Sequence, residues 1–323
     1  MEKQENEIFY GKIILFGEYG VIFDSMALTI PFAHFQGTLN FPDPYKYTNL
    51  DYAQTSNGQL KEYATYIKNL VQKEQLKFKL NINSFEDDIE KGLYFESSIP
   101  QSYGLGSSGA LVASVYCRYA IDKIKSSRTL NGSNILELKE IFAQLESFFH
   151  GKSSGIDPLN AFIKFPLLIK NKSEITTVAI PRKRDKGNGG IFLVNTGGPG
   201  KTEPLVHLFI EKCKQEKYFR IIQNEFIPVN NNCIKNLLSG QLDEFFNYLE
   251  QLSDLQMRFM NPMIPYHFQE HWKHGLKTKD YFLKLCGSGG GGYLLGFTRD
   301  FDNARKYFKE KDIELVTVYK SSR

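Results

Sequence analysis

The segment IPQSYGLGSSGALVA (99–113) places three glycines and two serines immediately before a long apolar run. Gly104, Gly106 and Gly109 match the pattern G-x-G-x-x-G, and the apolar run predicts a helix over 110–124. The first turn of a helix carries backbone N–H groups without acceptors and a partial positive charge, so a glycine loop entering a helix can bind phosphate. Three interpretations are open at this point: a dinucleotide-binding turn, a phosphate loop of another kind, or a tight turn without a ligand.

The dinucleotide-binding interpretation fits the surrounding sequence poorly. In that fold the first glycine follows directly from a strand and opens a βαβ unit. Here SSIPQS separates the preceding β-rich segment from Gly104, and no parallel βαβ partner follows. Asp122 has roughly the spacing of a ribose-binding acid, but it falls inside the predicted helix. A dinucleotide-dependent oxidoreductase is therefore the least favoured interpretation.

Hydroxyl and carboxyl side chains near the loop indicate Mg²⁺ and proton transfer. Ser107 and Ser108 stand at the helix start, where a hydroxyl can ligate Mg²⁺ on phosphates, although serines there are more often helix caps. Glu146 ends a predicted helix, and Asp157 follows eleven residues later, after a Gly/Ser-rich turn. The two carboxylates could converge on one site, one binding Mg²⁺ and the other accepting a proton.

Two further segments complete the set of residues that could do chemistry. Lys12 opens KIILFGEYGVIF (12–23), an apolar run that predicts a strand, a turn at 17–20 and a returning strand. GSGGGG (287–292) has five glycines in six residues, which lets another backbone come close or leaves room for a ligand.

Length and composition predict an ordinary two-domain protein of 323 residues, with a linker candidate in PRKRDKGNGG (181–190). The net charge of +4 comes from interspersed charges, which predicts no nucleic-acid partner.

The charged N-terminal segment and the absence of a long apolar run predict neither a secretory signal nor a membrane span. Scattered cysteines fit reduced thiols and a cytoplasmic location. Locally, 77–84 is predicted as a strand and Asn134 as the cap of a helix that stops at Gly151.

Three segments in order along the chain resemble the motifs of the GHMP kinases. GKIILFGEYGVI (11–22) resembles the first motif, IPQSYGLGSSGA (99–110) the P-x-x-x-G-L-G-S-S-A-A phosphate loop, and LKLCGSGGGGY (283–293) the K-x-T-G-A-G-G-G-G third motif. The resemblance implies an α+β, two-domain GHMP kinase fold. Residues 1–186 would form a ribosomal protein S5 domain 2-like N-terminal domain, and residues 187–323 a ferredoxin-like C-terminal domain.

The resemblance also implies roles for individual residues, with ATP and Mg²⁺ as cofactors. Asp157 would be the catalytic base and Lys12 would lie beside the transferred phosphoryl group, while Ser108 and Glu146 would bind Mg²⁺. The phosphate loop that binds ATP would comprise Gly104, Leu105, Gly106, Ser107, Ser108 and Gly109. The predicted substrate-binding residues are Glu18, Tyr19, Ser154, Thr202, Gly289 and Gly290.

The acceptor is predicted from E-x-x-x-H-G-x-x-S-G-I-D, matched by residues 146–157 and similar to the mevalonate-phosphorylating members. Departures occur at Tyr10, Tyr19, Cys286 and Ser288, and a tyrosine at 19 is more typical of phosphomevalonate kinases. We therefore expect a kinase acting on a small-molecule alcohol, as a monomer or homodimer, with mevalonate as the first acceptor. Phosphomevalonate, homoserine or a sugar are the alternative acceptors. A non-catalytic ATP-binding regulator is a further alternative.

Overall fold

The computed structural model describes residues 7–43, 48–127, 130–181, 187–200 and 202–321, without the side chains of the first two residues of the last segment. The chain forms two compact units. Of the described residues, unit 1 contains those up to Lys12 and those within Ile30–Pro100 and Leu105–Phe165, and unit 2 contains those within Ile13–Thr29 and Gln101–Gly104 and those from Pro166 onward. The predicted boundary at 186/187 touches residues outside the described part and stays a prediction.

Within the described residues one sheet has five strands, in the order β1-β2-β4-β5 with β3 also paired to β2. In unit 1, the later part of β2 pairs antiparallel with β3, with Leu39 opposite Phe95. In unit 2, the start of β2 pairs antiparallel with β4, with Leu28 opposite Leu168. The strands are β1 (Phe9–Phe16), β2 (Ala27–Asn40), β3 (Tyr94–Ser97), β4 (Leu167–Asn171) and β5 (Glu174–Thr177).

Three other helices of unit 1, α2, α4 and α5, pack against α3 (Ser107–Tyr119), whose Ala, Val and Leu side chains are buried on almost every face. Aromatic rings fill the space beside it: Phe162 contacts Tyr116 and Phe142, with ring centroids 5.4 and 5.5 Å apart. A helix apolar on all sides is stable only inside a core, and this one holds its N-terminus in a fixed place. The helices are α1 (Leu50–Gln72), α2 (Ile82–Glu90), α3 (Ser107–Tyr119), α4 (Gly132–His150) and α5 (Ile156–Ile163).

Three local predictions in the first half of the chain are wrong. Residues 77–84 form no strand; Leu80 makes one isolated bridge to Ala120, and Asn81 caps α2 instead. The cap of α4 is Asn131, whose side chain accepts from the Asn134 N–H, so the helix begins earlier than predicted. The returning strand after residues 17–20 is a 3₁₀ turn (Gly20–Phe23), and β2 begins only at Ala27. In each case a nearby side-chain or turn hydrogen bond outweighs the apolar pattern.

Unit 2 holds a second, antiparallel sheet, of four strands in the described residues, in the order β7-β8-β6-β9. The predicted strand, glycine loop and strand are confirmed as β7, residues 286–292 and β8. Its strands are β6 (Gly190–Asn195), β7 (Phe282–Leu285), β8 (Tyr293–Thr298) and β9 (Leu315–Lys320). Its helices are α6 (Thr202–Cys213), α7 (Glu216–Ile221), α8 (Ile227–Ser239), α9 (Leu242–Phe259), α10 (Gln269–Thr278) and α11 (Phe301–Lys309), with a π-helical turn Ile222–Phe226 between α7 and α8.

The start of α5 is pressed against the middle of α4. Gly155 caps α5 at φ 72°, and a Cβ there would lie 2.6 Å from the backbone nitrogen of Ala143 and also overlap the Lys139 carbonyl oxygen. Only glycine combines the left-handed backbone with this close approach. Because Asp157 is in the first turn of α5, this contact sets where its carboxylate lies.

We expect Gly155→Ala to destabilise the protein by about 2–5 kcal/mol, from backbone strain of about 1–2 kcal/mol and overpacking of about 1–3 kcal/mol. The measurement is the free energy of unfolding in urea. The matched control is Gly151→Ala, because Gly151 also has a positive φ, 68°, but has open space around its Cβ position. It should lose only the strain contribution, so equal losses in the two variants would contradict the close packing of α5 on α4.

Candidate active site

The glycine loop enters α3 as the sequence predicts, with the helix beginning at Ser107 rather than at residue 110 and ending at Tyr119. Gly106 caps it in the left-handed conformation, at φ 75° and ψ 40°. The Ala110 N–H donates to the Gly106 carbonyl oxygen at 3.0 Å and is the first bond of the helix. The N–H groups of Ser107, Ser108 and Gly109 therefore have no acceptor within the helix and can bind an anion.

Lys12 and Asp157 form an ion pair beside this loop, within unit 1. The Lys12 Nζ lies 3.1 Å from Asp157 Oδ1, with the lysine side chain 5% exposed and the aspartate side chain 31% exposed. The Lys12 N–H also donates to the Leu105 carbonyl oxygen at 2.8 Å, which ties β1 to the loop. The two predicted catalytic residues are thus brought together, and the carboxylate keeps access to solvent.

Two loop glycines leave the space in which this pair lies. A Cβ on Gly106 would be 2.9 Å from Lys12 Cγ and 3.5 Å from Asp157 Oδ2. A Cβ on Gly109 would be 2.7 Å from the backbone carbon of Asp157. Side chains at either position would push the lysine and the aspartate away from the start of α3, so the glycines serve close approach as well as the turn.

Glu146 is buried near the same helix start, and a hydroxyl group contacts each of its carboxylate oxygens. The Ser108 hydroxyl donates to Oε1 at 3.1 Å, and the Ser153 hydroxyl donates to Oε2. His150, one turn after Glu146 on α4, places its Nε2 3.1 Å from the Ser108 Oγ. The predicted pair Ser108 and Glu146 is therefore in direct contact.

Burial raises the pKa of the Glu146 carboxyl to about 7, and the negative charge of Asp157 acts in the same direction. The hydrogen bonds from Ser153 and Ser108, and the charge of Lys12, favour the ionised form and only partly offset the burial. A carboxylate buried in this way is poorly compensated by its protein neighbours alone, and a nearby cation would favour its ionised form.

The donor set at this point fits Mg²⁺. Mg²⁺ prefers oxygen ligands and commonly takes one or two from protein, completing its shell with phosphate oxygens and water. Ser108 and Glu146 offer a hydroxyl and a carboxylate in contact. Among the described residues no cluster of three or more His, Cys, Asp or Glu side chains could hold a metal by itself. The fit is thus to a cation shared with a phosphate ligand.

Two of the predicted substrate residues, Glu18 and Tyr19, contact the third motif inside unit 2. The Lys284 Nζ donates to Glu18 Oε1 at 2.5 Å, and the two side chains are 0% and 2% exposed. The Tyr19 hydroxyl donates to the Ser288 carbonyl oxygen at 2.5 Å, and its ring lies against Phe209 with centroids 4.6 Å apart. Tyr19 has a positive φ of 61°, an uncommon backbone for a bulky residue that its surroundings must hold in place.

The glycine-rich loop of the third motif packs against two other loops of unit 2. The Gly290 N–H donates to the Met263 carbonyl oxygen at 2.6 Å, and Gly289 is pressed against the same carbonyl group. A Cβ on Gly292 would meet Tyr103 Cα at 3.0 Å, and one on Gly104 would meet the Cys286 carbonyl oxygen at 3.3 Å. Residues 101–104 of the phosphate loop therefore lie directly on residues 286–292.

The remaining two predicted substrate residues give less information. Ser154 is exposed, and its hydroxyl accepts from the Ile156 N–H at a long 3.4 Å. Thr202 begins α6, but its side chain lies outside the described part of the chain. The sequence does not predict a role for the neighbouring Ser153, because no spacing rule distinguishes it from Ser154. Only the folded structure shows that the Ser153 hydroxyl reaches Glu146.

Several solved structures share the fold along nearly the whole chain. L. major mevalonate kinase in complex with R-mevalonate is 18% identical with a TM-score of 0.63, covering 99% of this chain and 98% of that chain. Streptococcus pneumoniae phosphomevalonate kinase in complex with phosphomevalonate and AMPPNP is 13% identical with a TM-score of 0.63, covering 98% and 99%. Lactococcus lactis galactokinase complexed with galactose is 14% identical with a TM-score of 0.62, covering 99% and 94%.

No curated protein sequence matches the chain. In the described residues, none of the helices is both long and apolar enough to cross a membrane. Residues 65–163 match the family model described as the GHMP kinases N terminal domain, a stretch that includes the phosphate loop, Glu146 and Asp157. The chain therefore has the two-domain α+β fold of the GHMP kinases, and its residues 65–163 match the N-terminal domain of that family.

Proposed function

We propose that this protein is an ATP-dependent kinase that phosphorylates the hydroxyl group of a small alcohol, with mevalonate as the acceptor. The observation that carries the proposal is the Lys12–Asp157 ion pair, 3.1 Å long, at the glycine loop that enters α3. A carboxylate, an ammonium group and an unsatisfied helix N-terminus at one place are what phosphoryl transfer to a hydroxyl requires. The family match of residues 65–163 supports the same reaction class.

The phosphate groups of ATP would be held by backbone N–H groups of residues 104–108 and by the first turn of α3. These donors belong to the backbone, so binding requires no side-chain ordering. Gly106 allows the phosphates to approach the Lys12 side chain, because no Cβ fills the space beside Lys12 Cγ.

Asp157 would orient the acceptor hydroxyl and take its proton, which makes the oxygen a better nucleophile. Its carboxylate suits this role because it is partly exposed and in contact with Lys12. The Lys12 ammonium would stabilise negative charge that develops on the transferred phosphoryl group and its attacking oxygen. Neither step requires a covalent bond to the protein.

Ser108 and Glu146 would hold Mg²⁺, which when bound neutralises charge on the phosphate oxygens. The Ser108 hydroxyl and the Glu146 carboxylate are already in contact. The chain would contribute two oxygen ligands, and the burial of Glu146 would limit competition by water at its carboxylate.

Mevalonate is favoured as the acceptor by residues 146–157, which keep the spacing of the mevalonate-phosphorylating motif. The match to L. major mevalonate kinase is consistent with this choice, at an identity that informs on fold alone. Phosphomevalonate is the second candidate, because Tyr19 is the residue type of that group and its hydroxyl contacts the third motif. The cytoplasmic location and the monomeric or homodimeric state remain predictions.

The proposed acceptor is tested by ADP release from ATP with four acceptors: mevalonate, phosphomevalonate, homoserine and galactose. We expect turnover with mevalonate and at least about a hundredfold lower kcat/KM for the others, since a site shaped for one acceptor leaves polar groups unpaired with another. Turnover with phosphomevalonate but not with mevalonate would show that the proposed acceptor is wrong, while the proposed kinase activity would stand. Nucleotide binding without turnover on any acceptor would favour the non-catalytic regulator.

We expect Asp157→Asn to lower kcat by roughly 10²–10⁴-fold, because an amide cannot accept the hydroxyl proton. Binding of ATP, measured by calorimetry, should persist. Asp122→Asn serves as the control, since Asp122 is an exposed aspartate in the same unit. Near-normal turnover of Asp157→Asn would remove Asp157 from the role of base.

Glu146 gives a pH-dependent prediction for the metal-free protein. The pKa of Glu146 is about 7 in the folded protein, above its ordinary value of 4.5, so the folded state binds the extra proton. Compared with the unfolded chain, the folded protein is therefore destabilised by Glu146 once this carboxyl must ionise. This penalty is absent below pH 4.5 and is complete once the pH has risen through 7. Glu146→Gln, which cannot ionise, should therefore be more stable than wild type at pH 8 by about 1–3 kcal/mol.

This difference should disappear at pH 4.5, which urea unfolding at the two pH values would measure. Glu137→Gln is the control, because Glu137 lies exposed on the same helix α4. A Glu146→Gln variant with no advantage at pH 8 would contradict the raised pKa of the carboxyl.

A further inference from the structure

The Ser153 hydroxyl has a fixed direction. The Gly155 N–H donates to the Ser153 Oγ at 3.0 Å and so occupies one of its lone pairs. The hydroxyl proton then points to Glu146 Oε2. The backbone donor holds the serine oxygen in place, and the hydroxyl proton is directed to the carboxylate, so Ser153 supports Glu146 through a defined hydrogen bond.

This support acts on one oxygen of Glu146 only. Oε2 is bound by Ser153, while Oε1 is in contact with Ser108. A carboxylate anchored through one oxygen can rotate little, so its other oxygen stays beside the start of α3. The anchoring therefore determines which oxygen is available to a cation.

Ser108 has the opposite property, because its single proton has two acceptors within reach. Its Oγ lies 3.1 Å from Glu146 Oε1 and 3.1 Å from His150 Nε2. When the proton points to Glu146, His150 can donate its own Nε2–H to the Ser108 oxygen. When the Ser108 oxygen and the Glu146 carboxylate both face a cation, the serine hydroxyl can no longer donate to the carboxylate. It can then donate to Nε2 of His150, provided that His150 is in the neutral tautomer that carries its proton on Nδ1.

We propose that Ser153 and His150 are positioning residues of a divalent-cation site formed by Ser108 and Glu146. Ser153 holds the Glu146 carboxylate in place through Oε2. His150 accepts a hydrogen bond from the Ser108 hydroxyl, so that a lone pair of the Ser108 oxygen faces the cation. The inference rests on the proposed function, because that function supplies the cation. Outer hydrogen bonds of this kind typically change metal affinity by about 10–100-fold.

The position of Ser154 gives a sharp contrast. It is the serine that the sequence motif predicts, yet it lies exposed, and its hydroxyl accepts from the Ile156 N–H at a long 3.4 Å. Ser153 donates its hydroxyl to the buried carboxylate. The two adjacent serines are thus distinguished by what they touch, and a cation-binding readout should distinguish them as well.

The experiment measures the MgCl₂ concentration that gives half of the thermal stabilisation by a saturating non-hydrolysable ATP analogue, using the full chain. Ser153→Ala should raise this concentration about tenfold, and Ser153→Thr, which keeps the hydroxyl, should restore it. His150→Phe should raise it by a similar factor, whereas His150→Gln, whose amide oxygen can accept the proton, should lie close to wild type. Binding of the analogue without Mg²⁺ should change less than twofold in all four variants.

Ser147→Ala is the matched control, because Ser147 lies beside Glu146 on α4 but donates its hydroxyl to the Ala143 carbonyl oxygen at 2.7 Å. It should leave the half-saturating MgCl₂ concentration unchanged. Ser153→Ala and His150→Phe behaving like Ser147→Ala, while wild type responds to MgCl₂, would overturn this inference and leave the proposed kinase intact. A wild-type protein that binds the analogue with no response to MgCl₂ would overturn both.

Discussion

The ion pair between Lys12 and Asp157 is the interaction on which the rest of the candidate site in unit 1 depends. It can form only if β1, the glycine loop and the start of α5 meet at one point, although they are far apart in sequence. A specific backbone feature holds each of the three segments in place. The Lys12 N–H of β1 donates to Leu105, Gly106 of the loop has no side chain that would displace Lys12, and Gly155 lets α5 pack closely on α4. These backbone contacts therefore place Lys12 and Asp157 close enough for their side chains to form the ion pair.

The sequence singles out residues that the structure brings together, whereas several of its predictions for the surrounding secondary structure are wrong. The glycines, Ser108, Glu146 and Asp157 are recognisable because phosphate and Mg²⁺ chemistry limits which residue types can serve and in what order. The strand expected over 77–84 and the cap expected at Asn134 fail because an Asn directly before the true helix start caps the helix and so decides the boundary locally. Ser153 could not be found, since its neighbour Ser154 has the same chemistry and only tertiary contacts separate them.

Glu146 would face a conflict between protein stability and the proposed binding of a cation. Burying a carboxyl near the charge of Asp157 raises its pKa to about 7, which opposes the ionised form that a cation requires. Two hydroxyl groups and Lys12 reduce the conflict without removing it. Local rules of protein stability are commonly broken at functional sites, and this carboxyl would be such a place under the proposed function.

The buried pair of Glu18 and Lys284 has a consequence for how this protein can change over evolutionary time. The two residues lie 266 positions apart, with the ammonium group 2.5 Å from the carboxylate and both side chains out of contact with solvent. Replacing one alone leaves an uncompensated charge in the interior, at roughly 3–5 kcal/mol, whereas replacing both by apolar residues is often tolerated. A lineage must therefore keep both or exchange both in close succession. Across related sequences, the identities of positions 18 and 284 should covary.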